Sequence, residues 1–229
     1  MTITRVGRSQ LGAACRSLLG VLTMPGDVLF WINTDDNFLV GDPLQDNYDK
    51  AQSVLEELGA TVHNSTDWSG NIHDYKLILF PMPIGDPSWW SVIESGWTGR
   101  IHLLGEWNYY EWITSRDYIN SKTPITGMSI GETHISGGPD AAPGTVETND
   151  LTEGLEIFRY VVTNTVTGGT ALSKTTDDST DPDQIWIARN KVGTVDWVLS
   201  GDTNHMSDIH GYVLSDNQPF VENLFTVLS

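Results

Sequence analysis

The stretch VDWVLSGDTNHMSD, residues 195–208, sets Asp202, Asn204, His205 and Asp208 within one short loop behind an apolar segment. Carboxylates and an imidazole are groups that can hold a ligand or a cation. Asp36 and Glu106 follow apolar runs in the same way, and Asn217 opens an apolar periodic segment near the end of the chain. If those apolar runs are parallel strands, Asp36, Glu106 and Asp202 share one sheet edge, the edge where open α/β sheets bind ligands. Asp36, Glu106, Asp202, Asn204, His205, Asp208 and Asn217 are therefore the candidate ligand-binding residues, expected to line a common cleft with His205 near its rim. Three crowded carboxylates repel unless hydrogen-bonded, protonated or bound to a cation. They would suit Ca²⁺ or Mg²⁺, while His205 or His210 would bring in a transition metal, so the metal stays open. A plainer reading competes: Asp202, Asn204 and Asn217 hydrogen-bond loop amides and cap the last helix, as Asp and Asn commonly do.

A second constellation is GMSIG, residues 127–131, which matches the GxSxG nucleophile elbow. The order Ser129, Asp183 or Asp202, then His205 or His210 even follows that of α/β-hydrolases. An elbow needs a buried strand before the serine and a helix after it, whereas SKTPIT precedes this one and ETHISGGPD follows. The serine hydrolase using Ser129 with His205 or His210 is thus the alternative reading. SWWSVIESGW and WNYYEWI could stack on sugar rings, but helices packed on a sheet are the commoner use of such aromatics. No GxGxxG or GxxxxGK[ST] phosphate cradle occurs, and no cofactor is expected.

The elements that must position these residues emerge from the pattern of the 229-residue chain. DVLFWIN, TVHN, YKLILFPMP and the run at 100–104 read as strands, the longer ones apolar without alternation, as buried parallel strands are. NYDKAQSVLEELGA reads as a helix stopped by Gly59, and Asp86 is expected to cap a helix that starts at Pro87. This rhythm predicts an α/β fold: an open, mostly parallel sheet with helices on both faces. FRYVV, QIWIAR and TVDWVLS should extend the sheet with some antiparallel members in the C-terminal half. Residues 121–152 have little periodicity, 174–184 form a charged loop, and DNQPFVENLFTVL closes the chain as a helix.

Composition narrows the partners. The formal net charge is −18 with only 12 Lys and Arg, which argues against nucleic acid and anionic membranes. Cys15 is the single cysteine, so no intrachain disulfide or Cys-rich zinc site is available. Arg16 interrupts the apolar stretch around it, which reads as neither signal peptide nor membrane span. Residues 1–25 form an arm, with Leu11, Leu18, Leu19 and Leu22 at roughly helical spacing, and 26–229 a single domain. The arm is expected to pack on the domain's flank or on a neighbouring subunit.

A strand ending near Asp36, LEELGATV, KLILFPMP, IHLLGEW, NDLTEGLE and the final VLSGDTNHMSD…DNQPFVENLF together resemble the class I glutamine amidotransferase-like superfold. The likeness is strongest to its non-catalytic domains in gliding-motility and intraflagellar-transport proteins, and it covers about residues 26–229. It implies a flavodoxin-like arrangement. Catalytic members place a cysteine in the turn after the strand that RIHLLG resembles; here Gly105-Glu106-Trp107 stands there, so the amidotransferase reaction is not expected. The reading is a non-catalytic binding or structural assembly module, self-assembling or meeting a protein partner through its arm. It belongs in the cytoplasm or in an assembled particle such as a virion or surface assembly.

Overall fold

The computed structural model describes residues 26–31, 48–65, 68–105, 113–136, 141–176, 180–206 and 213–227. The arm with Cys15, and Asp36, Glu106, Asp208 and His210, lie outside the described residues.

In chain order the first half runs β1 (Asp27–Phe30), α1 (Asp49–Glu57), β2 (Thr61–Asn64), β3 (Tyr75–Pro81), α2 (Trp90–Glu94) and β4 (Gly99–Leu104). There follow α3 (Ile113–Ser121), α4 (Thr123–Thr126), β5 (Ser129–Ser136), β6 (Ala142–Gly144), β7 (Phe158–Tyr160) and β8 (Val162–Thr167). The chain closes with β9 (Thr170–Lys174), β10 (Ile185–Val192), β11 (Val195–Ser200) and α5 (Val213–Thr226). A seven-stranded sheet has the order β2-β1-β3-β4-β11-β10-β9. Its first five members are mutually parallel, and β10 runs antiparallel to both of its neighbours. The expected open, mostly parallel α/β sheet is therefore present, in a flavodoxin-like order.

The apolar runs explain this arrangement, because alternate residues of each strand bury on opposite faces. Val28, Phe30, Leu77, Leu79, Leu104 and Val198 face one core, covered by Ala51 and Leu55 of α1 and by Phe220, Val221 and Leu224 of α5. Leu29, Ile78, Phe80, Ile101, Leu103 and Leu199 face the other, against Trp89, Trp90, Ile93 and Ile119. Ala51 and Leu55 are one helical turn apart, and Gly59 ends that helical segment in the left-handed region at φ 89°.

Several expectations change. FRYVV does not extend the main sheet: β7 pairs with β6 and β8 with β5, as two separate two-stranded ribbons. Residues 121–136 and 141–152 correspondingly hold more regular structure than their pattern suggests, because β5 and β6 form against partners distant in sequence. Asp86 caps no helix; α2 starts at Trp90, and Asp86 instead accepts a hydrogen bond from the Tyr118 hydroxyl at 3.0 Å and pairs with Lys122. Asn217 does not open the last helix, which begins at Val213 and places Asn217 within its second turn.

Candidate functional site

Parallel pairing of β3, β4 and β11 brings Met82, Gly105 and Asp202 to one edge of the sheet. Gly105 donates its N–H to the Ser200 carbonyl, and Met82 donates to that of Leu104, each at 2.8 Å. Met82 sits at φ 43° between two prolines, an uncommon conformation for a residue with a side chain. No Cβ fits at Gly201, where it would lie 2.1 Å from the Asn164 carbonyl oxygen. Glycine there lets β8 close over the strand end.

Asp202 is fully buried directly past β11. Its Oδ2 accepts the Val161 N–H at 2.9 Å and its Oδ1 the Asn204 N–H at 2.7 Å. Its carbonyl oxygen accepts twice, from the Ser200 hydroxyl at 3.0 Å and from His205 Nδ1 at 2.6 Å. A carbonyl can only accept, so His205 is the Nδ1–H tautomer. Ser200 directs its proton to that carbonyl, so its oxygen accepts from His102 Nε2 at 3.3 Å. Two imidazoles thus converge on a single carbonyl oxygen, His205 directly and His102 through Ser200.

The histidines are sealed. His102 and His205 are fully buried, with ring centroids 5.2 Å apart, and Phe158, Trp186 and Phe220 surround His205. Among the described residues, His102 Nδ1 and His205 Nε2 have no hydrogen-bond partner. Burial pushes His205 down to about 3, outweighing the hydrogen bond to Asp202, which favours its charged form. Burial also pushes His102 well below the ordinary imidazole value, helped by His205 and Arg100 nearby. Both rings are neutral at pH 7.

Asn217, also fully buried, completes the network. Its Nδ2 donates to the carbonyls of Arg159 at 2.9 Å and His205 at 2.8 Å, and its Oδ1 accepts the Arg159 N–H at 2.8 Å. Four of the seven candidates, Asp202, Asn204, His205 and Asn217, are therefore brought together, but as an internal clamp between β7, β11 and α5. His205 lies inside the core rather than at a rim. Among the described residues no three His, Cys, Asp or Glu side chains gather as a metal site would require.

Ser129 lies elsewhere. It is the first residue of β5, paired with Thr167, with a helix before it and a strand after it. That inverts the order a nucleophile elbow needs. Of the two aromatic stretches, that at 88–97 packs inward, with Trp89, Trp90 and Trp97 at most 2% exposed, while residues 107–112 of the other lie outside the described residues.

Sequence reasoning missed two polar groups inside β4. His102 is the partner described above. Arg100 is buried with Asp196, its register partner on β11, donating from Nε at 2.8 Å. Its other nitrogens donate to the carbonyls of Asn223 at 3.1 Å, Leu224 at 2.6 Å and Val227 at 2.5 Å, closing the C-terminal end of α5. Burial alone would raise Asp196, but Arg189 and Arg100 hold it below its ordinary value. The signal was available: an arginine, a histidine and an aspartate at core positions of otherwise apolar strands.

No family model matches the chain, and no curated protein matches its sequence. Solved structures do match. A β-galactosidase from Bacillus circulans sp. alkalophilus is similar with TM-score 0.55 and 12% identity, over 87% of this chain and 30% of the enzyme. A putative ThuA-like protein from Bacteroides uniformis gives 0.54 and 12%, over 87% of this chain and 89% of that one. A cytoplasmic protein from Salmonella typhimurium LT2 gives 0.54 and 9%, over 88% and 98%. The chain spans about a third of the β-galactosidases it matches and most of the two smaller proteins. At such identities the likeness is one of fold.

Proposed function

We propose that this chain is a non-catalytic binding or assembly module with a glutamine amidotransferase-like fold. One observation carries the reading: both carboxylate oxygens of Asp202 accept backbone N–H groups, and the imidazole beside it is walled in by aromatic rings. A general acid or base must reach the proton it transfers, and His205 has no such access. The fold matches part of a longer chain in the β-galactosidases and nearly a whole chain in the ThuA-like protein, so it serves both as a component and alone. The narrower likeness to gliding-motility and intraflagellar-transport domains rests on short sequence motifs. A particle or surface assembly is the setting that the acidic, cysteine-poor composition suits.

Light scattering on the full chain, run beside ester and glycoside hydrolysis assays, tests this. The expected result is a mass above that of one chain, or a stable complex with a protein partner, and no turnover. A strictly monomeric chain whose hydrolysis disappears in His205→Gln overturns the proposal.

A further inference from the structure

The amino edge of the sheet, opposite the clamp, carries an open groove of about 280 Å³. Ile93, Pro124, Ile125, Val192, Val195 and Trp197 supply its apolar walls, and Glu94 is the one charged side chain in its lining. Val192 is the exposed large apolar residue of the described chain, at 41%. The volume lies below the roughly 300–1,000 Å³ of small-molecule sites. An apolar trough with one negative charge suits the apolar face of a cationic amphipathic segment.

Residues 1–25 contain such a segment. Leu11, Cys15, Leu18 and Leu22 recur at the spacing that puts side chains on one face of a helix. Arg5, Arg8 and Arg16 are three of the chain's twelve cations, and none of its thirty acidic residues falls in this stretch. A cationic arm therefore precedes a strongly acidic domain.

The fold also delivers the arm to the right edge. Gly26 opens β1 beside Lys76, whose Cδ lies 2.6 Å from where a Gly26 Cβ would stand. The Lys76 carbonyl oxygen stands 2.8 Å from the equivalent point on Gly99, and Gly99 pairs in register with Val195 of the groove. From β1 to β11 is three strand spacings, about 14 Å. Residues 22–25, fully extended, reach about the same distance. A short tether also raises the effective concentration to the millimolar range, favouring the chain's own arm over another's.

We propose that residues 11–22 fold back along the amino edge and seat Leu11, Cys15, Leu18 and Leu22 in this groove of the same chain. The inference is independent of whether the domain is catalytic.

Cys15, the only native cysteine, makes the test direct. Val192→Cys in the full chain should form an intrachain disulfide with Cys15 on mild oxidation, seen on a non-reducing gel, at a yield unchanged by dilution. Leu18→Glu in that background should lower the yield about tenfold or more, the equivalent of about 1.4 kcal/mol of lost docking. Ile125→Cys repeats the measurement from another wall, should Val192→Cys fail to fold. Absence of an intrachain disulfide in the folded variants overturns the proposal. So do linked dimers whose yield falls on dilution, which would place the arm on a second copy. Flotation with phosphatidylserine vesicles at the expense of the disulfide would make the arm membrane-seeking, and overturns it as well.

Discussion

Acid should unfold this protein through two histidines that never reach solvent. His205 is held at about 3 and His102 well below its ordinary value, both by burial, whereas in the unfolded chain each takes a proton near pH 6.5. The folded pKa is the depressed one, so their neutral forms stabilise the fold fully above about pH 6.5, and that contribution is lost as pH falls below it, for His205 down to about 3. Geometry gives the same sign. Protonation would create N–H donors at His102 Nδ1 and His205 Nε2, the two ring atoms that have no partner among the described residues. Well below pH 6.5 His205 removes about 1.4 kcal/mol per pH unit, so at pH 5 its loss is about 2 kcal/mol, and His102 adds to it in the same direction. That is a large part of a typical total stability of about 5–15 kcal/mol. Urea unfolding followed by tryptophan fluorescence at pH 7, 6 and 5 measures it, and His205→Gln should weaken the dependence by about 1.4 kcal/mol per pH unit. A stability at pH 5 within about 1 kcal/mol of that at pH 7 would refute the reasoning.

Asp202→Asn replaces one acceptor facing the Val161 or Asn204 N–H with a donor. It should lower stability by about 1–3 kcal/mol in urea titrations with an unchanged m-value. Arg100→Met leaves Asp196 with Arg189 alone and strips the donors from the last carbonyls of α5. It should cost about 3–5 kcal/mol, with hydrogen exchange rising first at the C-terminal turn of α5. Gly201→Ala forces a Cβ against the Asn164 carbonyl, and thermal melts should show a loss of about 1–3 kcal/mol. Ser129→Ala should leave any hydrolysis detected in the preparation unchanged, because Ser129 opens a strand; loss of turnover would reinstate the serine-hydrolase reading.

Much of the framework was legible because it is written in local pattern. Apolar runs at 27–33, 75–83 and 100–104 marked buried strands, and Gly59 marked the end of a helix before any partner was known. The parallel order followed from the alternation of those strands with helical segments, since only right-handed crossovers cover both faces. The loop at 202–205 was recognisable as a place where polar groups meet, because it follows a strand and is rich in Asp, Asn and His. What those groups do there was set elsewhere in the chain. Val161, Arg159 and Asn217, some 41 and 58 residues away for the first two contacts, supply the partners that turn Asp202 and Asn217 from candidate ligands into an internal clamp. The short strands β5 and β6 were equally hidden, and FRYVV was legible as a strand but not in its pairing, because a short strand is stabilised by the neighbour it pairs with rather than by its own pattern. The sequence by itself determined the strands, the first helix and the sheet edge to inspect, since these depend on hydrophobic spacing along the chain. Only the tertiary structure decided that His102, Arg100, Asp196 and His205 are buried and held, because burial and hydrogen bonding are properties of what the fold brings against a residue.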